Sequence, residues 1–168
     1  MRGFNLAEGA HIINHLAPQS ISGGKTGSWF HCKNAEHITL ILAFGAFGTN
    51  KPDPITVEIA KDVNGTGATA IGFRYYPSKN GAIERVSPPL VAAAAGITAA
   101  LLSKINNEFV VIELDSEEIN ATNDGSVDTD YPYIRVNVVD SGNTTYLGIL
   151  AILTGLRQAY QGGLQMTT

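Results

Sequence analysis

The fold class of this chain is decided by one stretch, Ile55-Thr-Val-Glu-Ile-Ala-Lys-Asp-Val63, followed at once by Asn64-Gly65-Thr66-Gly67. Apolar residues stand at 55, 57, 59 and 63. This near-alternation predicts a strand with one buried face. Asn64-Gly65 predicts a tight hairpin turn, because both residues tolerate the positive φ that such a turn needs. Since 70–76 is again rich in β-prone residues, we predict a central hairpin of an antiparallel core.

The same residues also spell a nucleotide-binding fingerprint, Gly65-x-Gly67-x-x-Ala70 after a strand. That fingerprint works because the helix after the glycines directs its N-terminal amides at a pyrophosphate. Here the following residues, Ile-Gly-Phe-Arg-Tyr-Tyr76, favour a strand, and Pro77 closes them. We therefore interpret the glycines as a turn.

Further strands are predicted outward from this hairpin, with turn residues between most of them. They cover Trp29–Cys32, His37–Phe44, Phe109–Asp115, Tyr133–Val139 and Tyr146–Leu153. Short, regularly spaced strands predict an all-β fold, an antiparallel β-sandwich or jelly-roll-like domain. We place the domain at 28–157, after a glycine-rich N-terminal arm at 1–27 and before a C-terminal tail at 158–168. The alanine-rich segment 90–102 is compatible with a helix or with extended structure.

Composition limits the function classes. Charged residues make up only 15% of the chain, which favours a surface partly covered by partners. The net charge of −4, without a basic run, argues against nucleic acid as the main partner. The apolar run 90–102 is too short for a membrane span, which needs about 20 residues. The first residues lack the apolar core of a signal peptide, so we expect synthesis in the cytosol.

Several motifs suggest chemistry, and each has a simpler interpretation. Gly23-Gly24-Lys25-Thr26 lacks the first glycine of a phosphate-binding loop, since Gln19 stands in its place. His11 and His15 would lie on the same side, as two metal ligands, only if this segment were a helix. The sequence shows no third ligand for such a metal site. Cys32, with His31 or His37, could suggest a thiol nucleophile and its base. In a strand, however, the side chains of His31 and Cys32 point to opposite faces, so we interpret Cys32 as a buried apolar residue. The acidic loop 123–130 lacks the order of a calcium loop. We predict no catalytic, cofactor-binding or metal-binding residues.

A longer series of residues resembles a known class of proteins. The series comprises Phe4–Ile13, Lys33–Leu40, Val57–Phe73, Phe109–Asp115 and Leu150–Arg157. In this order it is similar to small virion structural proteins of tailed bacteriophages, the kind encoded among head genes. The likeness extends from about residue 4 to residue 157 and contains no chemically specific motif.

The resemblance implies a non-enzymatic capsid component, with a decoration (cement) protein on the capsid surface as the first expectation. Such proteins are commonly β-rich, often trimeric, and use a terminal arm to reach neighbouring subunits. The implied partners are the major capsid protein and further copies of the chain. Within the arm, Ile12, Ile13 and Leu16 are the predicted partner-binding residues, acting by strand addition to a sheet edge.

Two alternatives remain open at this point. A head–tail joining or tail protein would also be β-rich and oligomeric. A carbohydrate-binding β-sandwich is the competing class, with aromatic side chains as possible stacking surfaces. Those side chains are Trp29, Tyr75, Tyr76, Tyr131 and Tyr133.

Overall fold

The chain folds into two antiparallel β-sheets whose inner faces share one core. The structure, a computed structural model, describes residues 6–32, 35–47, 51–83, 90–91, 95–104, 106–115, 119, 132–139 and 145–156. The all-β, sandwich-like architecture predicted from the sequence is confirmed. Jelly-roll connectivity remains a prediction.

The strands are numbered in chain order. They are β1 His11–Ser20, β2 Lys25–Thr26, β3 Phe30–His31, β4 His37–Phe44, β5 Ile55–Ala60, β6 Thr69–Ile71, β7 Phe73–Lys79, β8 Ala82–Ile83, β9 Leu90–Val91, β10 Phe109–Asp115, β11 Tyr133–Val138 and β12 Tyr146–Thr154. One helical turn, Leu6–Gly9, precedes β1, and a 3-10 turn covers Leu101–Lys104.

The larger sheet has the order β1-β12-β4-β10-β7-β8, with β9 also paired to β7. The smaller sheet has the order β2-β11-β5-β6, and β3 also pairs with β11. Along β4 and β12 every second residue is buried, as period-two alternation predicts. The inward residues of both sheets form the core, including Leu40 and Leu42 from the larger sheet and Val57 and Val136 from the smaller one.

The predicted hairpin after β5 exists, but its turn and its return strand differ from the prediction. Eight residues, 61–68, separate β5 from β6, whereas the prediction placed the turn at Asn64–Gly67 after a strand over 55–63. Asp62 organises this loop, since its Oδ1 accepts hydrogen bonds from the backbone N–H groups of Asn64 and Thr66. The return strand ends at Ile71, and after Gly72 the chain continues as β7 in the other sheet. The prediction of one continuous strand over 70–76 was therefore wrong.

A two-residue hairpin turn forms instead at the second Asn-Gly of the chain, Asn80-Gly81. Both residues have positive φ, 53° and 76°, and Lys79 pairs with Ala82 across the turn. This is the conformation that the Asn-Gly signal predicts.

The described part of the predicted arm, residues 6–27, is packed onto the sandwich. β1 is the first strand of the larger sheet and pairs with β12. Leu16 and Ile21 are buried in the common core. Residues 1–5 and the predicted tail 158–168 lie outside the described residues. The described residues of the predicted arm therefore pack as part of the sandwich, and the boundary at residue 28 remains a prediction.

The alanine-rich segment is neither one helix nor one strand in its described part. β9 covers 90–91, Ile97 forms an isolated bridge with Ile55, and the 3-10 turn follows. Gly96 has a φ of 56°, and a Cβ there would lie 2.4 Å from the carbonyl oxygen of Ile55. The segment therefore closes over the start of β5 by a direct backbone approach that only glycine permits.

Candidate functional site

A cluster of polar side chains lies on the outer face of the larger sheet. His37, at the start of β4, pairs directly with Asp115, at the end of β10. The Nδ1 atom of His37 lies 2.6 Å from Asp115 Oδ1, and its Nε2 atom contacts Oε2 of Glu113. The hydroxyl of Thr39 donates a second hydrogen bond to Glu113 Oε2, at 2.9 Å. The imidazole is thus held between two carboxylates.

Two opposing effects act on the pKa of His37. Its partial burial lowers the pKa, because desolvation disfavours the charged ring. The hydrogen bonds to Asp115 and Glu113, together with their negative charges, raise it and outweigh the burial. The net pKa is above the ordinary value of 6.5, so the structure favours the imidazolium form.

The cluster borders a concavity of about 520 Å³ that opens to solvent. Its lining combines charged, aromatic and aliphatic side chains from three neighbouring strands and from β8. The lining residues are His37, Arg74, Tyr76, Ile83, Val111, Glu113 and Asp115. The cross-strand pairs Glu113 with Arg74 and Val111 with Tyr76 bring these residues together.

The other half of the same outer face carries a group of aliphatic side chains. Ile12 on β1 pairs with Ile152 on β12, and Leu150 on β12 pairs with Ile41 on β4. The side chains of Ile12 and Leu150 are 45% and 43% exposed. We call Ile12, Ile41, Leu150 and Ile152 the apolar surface. Because these residues alternate with buried core residues, both faces of β12 are largely hydrophobic.

A second polar cluster lies on the outer face of the smaller sheet. The guanidinium of Arg135 donates to Glu58 Oε2, with Nε and Nη2 both at 2.7 Å. The same guanidinium lies over the ring of Trp29, with its Cζ 4.2 Å from the ring centroid. This cation–π contact occupies one face of the indole.

The structure separates the three predicted partner-binding residues. Ile12 is exposed and belongs to the apolar surface. Ile13 is partly buried and packs against the core, while Leu16 is buried with 8% of its surface exposed. A β-bulge lies between Asn14 and Leu16, and beyond it the inward position falls on Leu16. Of the three side chains, that of Ile12 is the most exposed, at 45%.

The predicted aromatic stacking residues are also in different environments. Tyr75 is buried in the core, and Tyr133 makes a T-shaped contact with the His31 ring, with centroids 5.1 Å apart. Trp29 is covered by Arg135. Tyr76 lines the concavity on the larger sheet. Tyr131 lies outside the described residues.

The remaining candidate motifs also have definite places. In β1, His11 is exposed, while His15 is buried and its Nε2 accepts a hydrogen bond from Val136 N–H. Cys32 is buried and its thiol donates to the carbonyl oxygen of Pro132, whereas His31 is exposed. Within the described residues, no group of three or more His, Cys, Asp and Glu side chains is arranged to hold a metal ion. The acidic loop 123–130 lies outside the described residues.

The sequence interpretation missed the His37–Glu113–Asp115 cluster. It placed His37 and Asp115 at the ends of the correct strands, and the bounds of both strands are confirmed. The alternation of Glu113 and Asp115 with buried Ile112 and Leu114 marks them as outward-facing. No local sequence pattern predicts that β10 pairs with β4, which is the pairing that brings these residues together.

Among the described residues, no helix is long and apolar enough to cross a membrane. No protein-family model, no curated protein and no solved structure matches this chain.

Proposed function

We propose that this protein is a structural component of a tailed-bacteriophage virion, a capsid decoration protein that binds and stabilises the shell. In this proposal the chain has no catalytic role. It acts through contacts with the major capsid protein and with copies of itself, as a homotrimer. The support is the resemblance of residues 4–157 to phage head proteins, together with the all-β sandwich and the low content of charged residues.

The apolar surface is the observation that carries the proposal. Ile12 and Leu150 are large aliphatic side chains with more than two fifths of their surface exposed. They lie beside Ile41 and Ile152 on one sheet face. Contiguous exposed apolar side chains on a folded domain mark surfaces that bind other proteins. Burying them against a shell would remove them from water, at a gain of about 25 cal/mol per Å² of apolar area.

The surface also revises the role predicted for the N-terminal segment. The prediction assigned binding to an N-terminal arm that adds a strand to a sheet edge of the partner, whereas Leu16 and Ile21 pack into the core of this domain. We now assign binding to the outward side of β1 and its neighbours β12 and β4. Deleting residues 1–22 would therefore remove a strand of the sheet and destabilise the fold, so deletion does not test binding.

Point substitutions on the surface test the proposal. The purified protein is mixed with shells of the phage that encodes it, and bound protein is measured after sedimentation. We expect saturable binding for the wild type and a large loss for Ile12→Lys and Leu150→Lys. Val63→Lys is the matched control, since Val63 is 58% exposed in the loop after β5 of the other sheet. Light scattering after size-exclusion chromatography gives the oligomeric state, with a trimer expected.

The outcomes separate the proposal from its alternatives. A monomer that does not sediment with shells would overturn it. Equal binding by Ile12→Lys, Leu150→Lys and wild type would exclude the apolar surface as the contact. Density for the protein at the head–tail joint or in the tail of intact particles, instead of on the shell, would favour the joining or tail function.

A further inference from the structure

The concavity on the larger sheet combines an aromatic ring, an aliphatic floor and a rim of fixed polar groups. Tyr76 pairs with Val111 across β7 and β10, and Ile83 on β8 completes the apolar part. Val111 is 5% exposed although it faces outward, so it forms the floor of the site. An apolar base with a few convergent polar groups is the usual composition of a small-ligand site.

The polar rim is rigid before any ligand arrives. His37 bridges Asp115 and Glu113, and Thr39 adds a third donor to the same cluster. These hydrogen bonds use one oxygen of each carboxylate, Asp115 Oδ1 and Glu113 Oε2. The second oxygen of each carboxylate therefore has a fixed direction. Groups held in place by their neighbours bind a ligand at a lower entropic cost than free side chains.

The charges of the rim balance. Two carboxylates, Asp115 and Glu113, line the concavity together with two cationic side chains, Arg74 and His37, and the imidazole of His37 is hydrogen-bonded to both carboxylates. A strongly anionic or cationic ligand would compete with the pairs that His37 makes with Glu113 and Asp115. A neutral ligand rich in hydroxyl groups would leave the pairs intact, since hydroxyls both donate and accept hydrogen bonds.

We propose that this concavity is a binding site for a neutral saccharide, with the C–H face of one sugar ring on Tyr76 and its hydroxyls hydrogen-bonded to Glu113, Asp115 and Arg74. The site opens to solvent, so it accepts one ring at the end of a glycan without enclosing it. It lies on the β10–β7 half of the outer face, beside the apolar surface. The assignment does not depend on the proposed role in a virion.

The test uses the full-length wild-type protein on an array of neutral, acidic and amino-containing glycans. Saturation-transfer NMR with the corresponding free monosaccharides follows. We expect binding of one or more neutral saccharides and weaker binding of their uronic acid and amino derivatives. No binding to any neutral glycan on the array would overturn the proposal. Stronger binding of an acidic or amino sugar than of its neutral counterpart would overturn the charge argument and with it the assignment.

Variants then separate a specific site from surface adsorption. Tyr76→Phe should keep most of the affinity, since it keeps the ring, whereas Tyr76→Ala should lower it about ten-fold or more. Glu113→Gln should also weaken binding, because it loses the charged partner of His37. Tyr146→Ala is the matched control, since Tyr146 is 57% exposed on the same sheet face away from the concavity.

Circular dichroism and thermal unfolding establish that each variant is folded. If Tyr76→Ala does not fold, Tyr76→Leu, which keeps the apolar bulk without the ring, gives the same comparison. Unchanged sugar binding in a folded Tyr76→Ala or Tyr76→Leu variant would contradict the stacking role and overturn the site.

Discussion

The imidazole of His15 joins the two sheets, because its Nε2 accepts a hydrogen bond of 3.0 Å from the backbone N–H of Val136. His15 belongs to β1 of the larger sheet, and Val136 to β11 of the smaller one. The ring also makes a T-shaped contact with Phe30, with centroids 5.1 Å apart. An accepting Nε2 requires a neutral ring with its proton on Nδ1. Burial agrees with this state, since it lowers the pKa of His15 from 6.5 to about 4.

Acid should destabilise the protein through His15. In the unfolded chain this histidine takes up a proton near pH 6.5, whereas the folded chain excludes that proton until about pH 4. Its contribution is therefore complete above pH 6.5 and is lost as the pH falls towards 4, by about 3 kcal/mol in total. Urea unfolding across this range measures the loss. His15→Gln should reduce the change in the free energy of unfolding between pH 6.5 and 4. His11→Gln, at an exposed position of the same strand, should leave that change as it is in the wild type.

Gly27 provides the space that His15 occupies. A Cβ at Gly27 would lie 2.0 Å from His15 Nε2, and the N–H of Gly27 donates to the carbonyl oxygen of Val136 at 2.9 Å. We expect Gly27→Ala to lower the free energy of unfolding by about 2 kcal/mol or more, because the ring must leave its place. In a His15→Ala background the same substitution should cost much less. Equal costs in both backgrounds, measured by chemical denaturation, would contradict this contact.

The two Asn-Gly turns should respond differently to alanine. Gly65 and Gly81 both have positive φ, 82° and 76°. A Cβ at Gly81 would meet nothing within 4 Å, whereas a Cβ at Gly65 would lie 2.7 Å from Trp29 Nε1. Gly81→Ala should therefore lower the free energy of unfolding only by the backbone strain of a positive φ, about 1 kcal/mol. Gly65→Ala should cost more and should also change the fluorescence of Trp29, the single tryptophan of the chain. Equal losses of stability would show that Trp29 does not pack on Gly65.

Alkaline pH should weaken the His37 cluster. Because the folded pKa of His37 is raised, its contribution to stability is complete below pH 6.5 and is lost as the pH rises through the folded value. An NMR titration of the His37 ring measures this pKa directly. Asp115→Asn should lower it, since a hydrogen-bonded negative charge is removed. Glu58→Gln, which removes a carboxylate from the outer face of the other sheet, should leave it unchanged. A His37 pKa that is insensitive to Asp115 would contradict the pairing of these side chains.

The sequence alone predicts the aromatic residue of the proposed sugar site, but it does not predict the polar cluster. The sequence predicts Tyr76 as one of five possible stacking residues, but no local pattern distinguishes it from Tyr75, which is buried. His37 and Asp115 are 78 positions apart in the chain and become neighbours through the register of β4 with β10. That register depends on how two distant strands share one core.

Alternation of apolar residues was enough to locate β4 and β10 with their correct ends, and to identify which residues face inward. This succeeds because side-chain direction in a strand is a local property with a period of two. Strand partners, the change of sheet at Gly72 and the bulge that turns Leu16 inward follow from tertiary packing. They depend on how the side chains of all strands pack together in one core, and a local stretch of sequence does not contain that information.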